Sequence, residues 1–161
     1  AAAAVSYIAP IPENHTDPNN PLKYIKGRPE IIFAIATGTE HLQDRAAGVL
    51  DTWCSKINAC VFFSDGGNPT GHPVIVPLAV QGAPANLEKY KLAQMRFLPI
   101  LENMRIWLTE DKFGLFSGAK WVILCDDDHP AGHRLWHTSW EAVITLNLNE
   151  IGLDQSRSHL I

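Results

Sequence analysis

The hydrophobic positions divide the chain into alternating strands and helices. Continuous apolar runs at residues 31–36, 59–63, 74–76 and 121–125 predict strands that are covered on both faces. Between the first two runs, apolar residues recur at three- and four-residue steps across residues 43–53, which predicts an amphipathic helix. This alternation predicts an α/β fold in which helices flank a mostly parallel sheet.

Further helices are predicted in the second half of the chain. Residues 86–107 hold enough apolar side chains for one long helix or for two, and Pro99 is expected to kink or break this segment. A final helix is predicted over residues 135–148, with Trp136 and Trp140 on its apolar side.

The N-terminal region has a different composition. Residues 5–29 contain five prolines among Asn, Asp and Lys, a mixture that disfavours helices and offers little apolar surface to bury. We therefore predict a flexible stem or linker over residues 1–29 and a single folded domain over residues 30–161.

Charge and hydropathy restrict the partners. The formal net charge is −4, and no block of Lys or Arg marks a surface for nucleic acid or for an anionic membrane. No apolar run approaches the roughly 20 residues that span a bilayer, so we expect no membrane span in this chain, with any anchor lying upstream. Asn14-His15-Thr16 fits the N-glycosylation sequon, which favours a location in the secretory pathway.

The three cysteines lack the spacing of a structural zinc site. Cys54 and Cys60 either form a disulfide or remain thiols, because geometry and not sequence decides between the two. Cys125 ends an apolar run and is predicted to be a small buried hydrophobic residue.

Three consecutive aspartates, Asp126, Asp127 and Asp128, follow the last apolar run. Like charges at this spacing destabilise one another's ionised form, and a hard divalent cation relieves that repulsion. Ligands of open α/β sheets bind beyond the carboxyl ends of the strands, where this turn is expected. The turn therefore predicts a Mn²⁺ or Mg²⁺ site; a solvated acidic loop or a helix N-cap is the alternative.

Several segments together resemble the Fringe-like family 31 glycosyltransferases. Residues 121–128 are similar to the family's strand and DxD motif, in which an aromatic strand precedes an acidic turn. Residues 31–38, with Arg45 and then Thr52-Trp53, look like its first strand and the following helix. Residues 61–65 look like its second strand, which ends in an aspartate.

A fourth match, Tyr90-Lys91-Leu92, is similar to the family's helix that carries a donor-contacting lysine. The four matches occur in the family's order and cover about residues 31–128. The resemblance implies a Rossmann-like GT-A fold and transfer of a sugar from a UDP-sugar donor to a glycan or glycoprotein acceptor. It also implies Mn²⁺ (or Mg²⁺) as cofactor and a location in the Golgi lumen.

The resemblance also implies the roles of individual residues. The donor-binding residues would be Thr37, Arg45, Asp65, Lys91, Asp126 and Asp127. Asp126 and Asp128 would hold the metal ion. Three of these residues have simpler interpretations: Arg45 as a surface ion pair, Asp65 as a turn former and Lys91 as a solvated helix residue.

The resemblance stops after the acidic turn. The family continues with Thr or Asn, then Tyr and a long acceptor-binding half, whereas here His129 and Pro130 follow and only 33 residues remain after Asp128. We therefore expect a truncated fold. The sequence identifies no catalytic residue. Glu150 and Asp154 stand in no family-like context for a general base.

Two other functions fit parts of the sequence. The chain is alternatively a catalytically inactive, glycosyltransferase-like fragment that serves as a structural or accessory subunit of an assembly. A weaker alternative is a Zn²⁺-binding module, since His133 and His137 would share one face of a helix, with His129 excluded by the intervening Pro130. Exposed surface histidines are the simpler interpretation of this tail.

Overall fold

In the computed structural model of the chain, the described residues are 17–66, 72–78, 86, 95–111, 114–127 and 144–147, the last range by its backbone alone. Five strands are defined: β1 (Ile31–Thr37), β2 (Cys60–Ser64), β3 (Ile75–Pro77), β4 (Trp121–Asp126) and β5 (Ile144–Asn147). The helices are α1 (residues 42–57) and α2 (Phe97–Glu110), and 3₁₀ turns lie at Pro21–Tyr24 and Thr39–His41.

The sheet has the strand order β3-β2-β1-β4-β5. The first four strands of that order are parallel, and β5 runs antiparallel to β4. Ala36 of β1 stands beside Phe63 of β2 and Asp126 of β4, so the carboxyl ends of three strands reach the same edge of the sheet. This topology confirms the predicted α/β, Rossmann-like fold with a mostly parallel sheet.

The two faces of the sheet are covered by different helices, because side chains alternate along each strand. On one face Ala34, Val61 and Leu124 pack against Met104 and Trp107 of α2. On the other face the packed side chains come from the sheet and α1: Ile35, Phe62, Ile75, Cys125, Leu42, Ala46, Val49 and Leu50. The burial of Cys125 confirms its prediction as a small hydrophobic residue.

Helix α1 is longer than predicted and is wound unevenly. π-helical turns at Leu42–Ala46 and Leu50–Cys54 are joined to α-helical turns at Ala47–Val49 and Ser55–Ile57. Asn58 ends the helix in the left-handed conformation with φ of 52°, as is common at helix C-termini. The disulfide left open by the sequence is formed: Cys54 bonds to Cys60, which links the end of α1 to the start of β2.

Helix α2 begins just before Pro99. Arg96 is its N-cap residue and Pro99 falls in the first turn, so the helix continues past Pro99 and is not broken there as predicted. Proline is tolerated there because a first-turn N–H has no acceptor within the helix. Within the described ranges, no helix combines the length and apolarity needed to cross a membrane.

The linker prediction is wrong for residues 17–29, because this segment has apolar anchors. Leu22 is 1% exposed and Ile25 is 4% exposed, and both belong to the core. The Tyr24 ring packs edge-on against Phe62, and Ile25 pairs with the residue that precedes β2. Residues 17–29 are therefore part of the packed domain, while residues 1–16 lie outside the described residues.

The predicted final helix over 135–148 is wrong at residues 144–147, which form β5. Leu124 of β4 pairs with Ile144, and Trp121 pairs with Asn147. An unpaired strand edge leaves backbone N–H and C=O groups without partners, and the backbone of an added strand supplies them. Residues 135–143 lie outside the described residues.

Candidate functional site

The site lies where the strand order reverses. From β1 the chain moves to β2 and β3 on one side, and it then returns to place β4 on the other side of β1. The gap beyond the carboxyl ends of β1 and β4 is therefore the topological switch point, where open α/β sheets bind ligands. Thr37 ends β1 at this gap, and Asp126 ends β4.

A hydrogen bond joins the two strand ends. The Thr37 hydroxyl Oγ1 donates to Asp127 Oδ2 at 2.6 Å. Both residues are buried, with Thr37 2% and Asp127 5% exposed. On the other side of this carboxylate, Arg45 Nη1 of α1 lies 4.0 Å from Asp127 Oδ1. Asp127 is thus held by one hydroxyl and faces one cation.

The surroundings of Asp127 weaken its acidity. Burial raises its pKa to about 6, opposed by the Thr37 hydrogen bond and the Arg45 charge and assisted by the nearby Asp126 carboxylate. Burial and the charges of Asp126 and Asp127 also raise the pKa of the Cys125 thiol to about 12. Cys125 packs in the core on the α1 face of the sheet as a small hydrophobic residue.

Asp126 differs from its neighbour in exposure. It is half-buried, and its Oδ1 accepts a hydrogen bond from the Asp127 backbone N–H at 2.9 Å. Among the residues that the structure describes, no group of three or more His, Cys, Asp or Glu side chains is arranged to hold a metal ion. Asp128, the second predicted metal ligand, lies outside those residues.

A second polar cluster follows the end of β2. Asp65 Oδ1 accepts two hydrogen bonds from Thr39, one from the backbone N–H at 3.0 Å and one from Oγ1 at 2.7 Å. Arg96 Nη2 lies 3.4 Å from Asp65 Oδ2. Burial disfavours ionisation of Asp65, but the Thr39 hydrogen bonds and the Arg96 charge outweigh it and hold the pKa of Asp65 below its usual value.

Thr37 connects the two clusters. Its hydroxyl bonds to Asp127, and its backbone carbonyl accepts a hydrogen bond of 3.2 Å from Arg96 Nη1. The arrangement therefore presents three carboxylates (Asp65, Asp126 and Asp127) and two guanidinium groups (Arg45 and Arg96) around the end of β1. Charges of both signs at a partly enclosed edge can hold a polar, anionic ligand and fix its orientation.

Five of the predicted site residues meet at this edge: Thr37, Arg45, Asp65, Asp126 and Asp127. The simpler interpretation of Arg45 was a surface ion pair. Arg45 does form an ion pair, and its partner is Asp127 of the acidic turn. The remaining residues singled out by sequence lie outside the described part of the chain: Lys91, Asp128, His129, His133, His137, Glu150 and Asp154.

Two residues of the site were missed by the sequence analysis, Thr39 and Arg96. Thr39 lies two residues beyond the end of β1, and its closeness to a strand end could have identified it as a candidate site residue. Arg96 carries no such signal, because it is 31 residues from Asp65 along the chain and meets it only through the fold.

No protein-family model, curated protein or solved structure matches this chain.

Proposed function

We propose that this chain binds a UDP-sugar donor at the carboxyl edge of β1, β2 and β4 and acts as a metal-dependent glycosyltransferase. The observation that carries the proposal is the hydrogen bond between Thr37 and Asp127 across the switch point. It unites the end of the first strand with the acidic turn, two of the segments that resemble the family. The third such segment supplies Asp65, which directly follows the neighbouring strand β2.

In this proposal the acidic turn holds a hard divalent cation through carboxylate oxygens. The two oxygens of Asp127 face Thr37 and Arg45, so Asp127 is already committed within the chain. The cation therefore falls to Asp126 and Asp128, whose carboxylate oxygens suit Mn²⁺ or Mg²⁺. When bound, such an ion offsets the negative charge of a diphosphate leaving group.

The chain's own residues bind and orient the donor in this proposal. The Arg45 side chain is 46% exposed, so the remaining N–H groups of its guanidinium can donate to a phosphate oxygen while Nη1 stays beside Asp127. The buried hydroxyl of Thr37 keeps the acidic turn fixed beside β1 while this occurs. Fixing the reacting groups in advance removes part of the entropic barrier to transfer.

The disulfide supports the proposed location. Disulfides persist in oxidising compartments and are rare where thiols are kept reduced. The Cys54–Cys60 bond is therefore in keeping with a protein of the secretory pathway, with the Golgi lumen as its proposed site and a glycan or glycoprotein as its acceptor.

Calorimetric titration of the full chain with UDP, in the presence and absence of Mn²⁺, tests the proposal. We expect UDP to bind and Mn²⁺ to strengthen binding, while Glu110→Gln, an exposed carboxylate at the end of α2, leaves both affinities unchanged. Folded protein that does not bind UDP at millimolar concentration would refute donor binding. Binding without sugar transfer to any of a panel of glycan acceptors would favour the inactive accessory subunit.

A further inference from the structure

The loop between β1 and α1 is fixed by residues from elsewhere in the fold. It leaves β1 at Thr37 and enters the 3₁₀ turn Thr39–His41. Both donors of Thr39, its N–H and its hydroxyl, are directed at Asp65 Oδ1 after β2. The Ser64 hydroxyl also donates to this oxygen, at 3.3 Å. One carboxylate oxygen thus holds the loop against the end of β2.

The other oxygen of Asp65 faces Arg96. The Arg96 side chain is 12% exposed, and its two terminal nitrogens reach different elements: Nη2 the Asp65 carboxylate and Nη1 the Thr37 carbonyl. A guanidinium presents its donors in a rigid, planar fork, which a lysine ammonium cannot reproduce. Arg96 therefore ties the start of α2 to the ends of β1 and β2.

Close packing at Gly66 confirms how near the loop approaches. A Cβ atom at this position would lie 2.6 Å from Thr39 Oγ1, a distance that real contacts do not tolerate. A side chain at residue 66 would push the Thr39 hydroxyl away from the Asp65 carboxylate, so the glycine leaves room for the bond between Thr39 and Asp65.

We propose that Thr39, Asp65 and Arg96 form a loop clamp, a set of positioning residues that holds the β1–α1 loop in the shape that receives the nucleoside of the donor. This inference rests on the proposed function. Both oxygens of Asp65 are engaged within the chain, so Asp65 acts through the loop and not by reaching for the ligand.

The clamp separates the nucleoside end of the site from the phosphate end. Thr37 is their junction, because its carbonyl belongs to the clamp and its hydroxyl to Asp127. A donor whose base and ribose lie against the loop would place its diphosphate towards Asp126 and Arg45. Losing the clamp then weakens binding of the nucleoside itself, whether or not phosphates are attached.

Parallel titrations with uridine and with UDP test the clamp. We expect Arg96→Gln and Thr39→Val each to weaken both ligands by the same factor, about tenfold, as loss of a charge-assisted hydrogen bond predicts. Thr39→Ser keeps the hydroxyl and should restore binding, whereas Arg96→Lys should not. Matched controls are Arg105→Gln, which breaks the surface pair with Glu102, and Thr109→Val, which loses a hydroxyl bond within α2.

Each outcome of these titrations decides the matter. Unchanged affinities in Arg96→Gln and Thr39→Val, with wild-type protein that binds UDP, overturn the clamp and leave the proposed function standing. A loss confined to UDP, with uridine unaffected, shows that Arg96 contacts phosphate directly and also overturns it. Wild-type protein that binds UDP but not uridine overturns the clamp alone, and wild-type protein that binds neither ligand refutes the proposed function together with the clamp. Urea unfolding of each variant identifies any loss that comes from instability alone.

Discussion

Thr37 and Asp127 are 90 residues apart in the chain, yet their side chains form a buried hydrogen bond of 2.6 Å. The bond spans the point at which the sheet reverses its strand order. A buried carboxylate is destabilised unless it is hydrogen-bonded or paired, so Thr37 is part of what allows the acidic turn to fold beside β1. The stability of this edge of the sheet therefore depends in part on that contact.

Replacing Thr37 by Val should destabilise the protein. The variant keeps the shape of the side chain but leaves a buried carboxylate without its hydroxyl donor, and a hydrogen bond to a charged group contributes about 1.5 to 3 kcal/mol. Urea unfolding at neutral pH measures the loss. Thr37→Ser retains the hydroxyl, so its free energy of unfolding should fall less than that of Thr37→Val. Thr109→Val removes a partly exposed hydroxyl on α2 and is the control for the Thr-to-Val substitution itself. Equal stabilities of wild type and Thr37→Val would show that the bond contributes nothing.

The stability of the metal-free protein should depend on pH through Asp127. Its pKa is raised from 3.8 to about 6, so the native state holds this proton more tightly than the unfolded state. The stabilisation from the protonated group is therefore complete below the unfolded pKa and is lost as the pH rises through the native pKa of about 6.

Urea unfolding across this pH window, in the presence of a chelator, measures the effect. Relative to Asp127→Asn, which cannot titrate, the wild-type protein should lose stability as the pH rises from 3.8 to about 6. Asp65→Asn serves as the contrasting variant, because the pKa of Asp65 is lowered and its ionised form stabilises the fold. A wild-type protein that gains stability over Asp127→Asn in this window would contradict the assignment.

Metal dependence should separate the three aspartates of the acidic turn. We expect Asp126→Asn and Asp128→Asn to abolish the strengthening of UDP binding by Mn²⁺, since each removes a carboxylate that we propose as a ligand of the ion. Asp127→Asn should preserve the ratio of affinities with and without Mn²⁺, because Asp127 is committed to Thr37 and Arg45. Titration of each folded variant with UDP measures that ratio. If Asp128→Asn unfolds the protein, or if only Asp127→Asn removes the Mn²⁺ effect, this distribution of roles is wrong.

The disulfide can be checked by peptide mapping. Trypsin cleaves after Lys56, which lies between Cys54 and Cys60, so a non-reduced digest should contain the two flanking peptides joined as one mass. Reduction should separate them. Cys125, which is buried and unpaired, should react with an alkylating reagent only after unfolding. Recovery of alkylated Cys54 without prior reduction would show that the bond is absent from the protein.

The local pattern of the sequence determined strands β1 to β4 and helix α1. Residues 31–36 and 121–125 are apolar without interruption, and each run matches a strand within one residue at its ends. The acidic turn was equally visible, because three charged residues directly follow such a run. These features could be predicted since strand and helix periodicity involve neighbours in the chain.

Where the local pattern was ambiguous, tertiary contacts determined whether a segment was buried and which secondary structure it formed. Leu22 and Ile25 stand among prolines, yet the sheet supplies a core for them to enter. Residues 144–147 read as part of a helix, but the open edge of β4 offered backbone partners and made them a strand. A segment's burial depends on what lies next to it in space, which composition alone does not record.

The sequence by itself also determined which residue types stand at the strand ends: Thr37, Asp65 and Asp126. Only the tertiary structure decided their partners. The order β3-β2-β1-β4 placed Asp127 beside Thr37, and the start of α2 carried Arg96 to Asp65. The same packing closed the bond between Cys54 and Cys60. Such contacts depend on distances between side chains that are set when separate elements pack together. Hydrophobic periodicity describes only neighbours along the chain and therefore does not predict these distances.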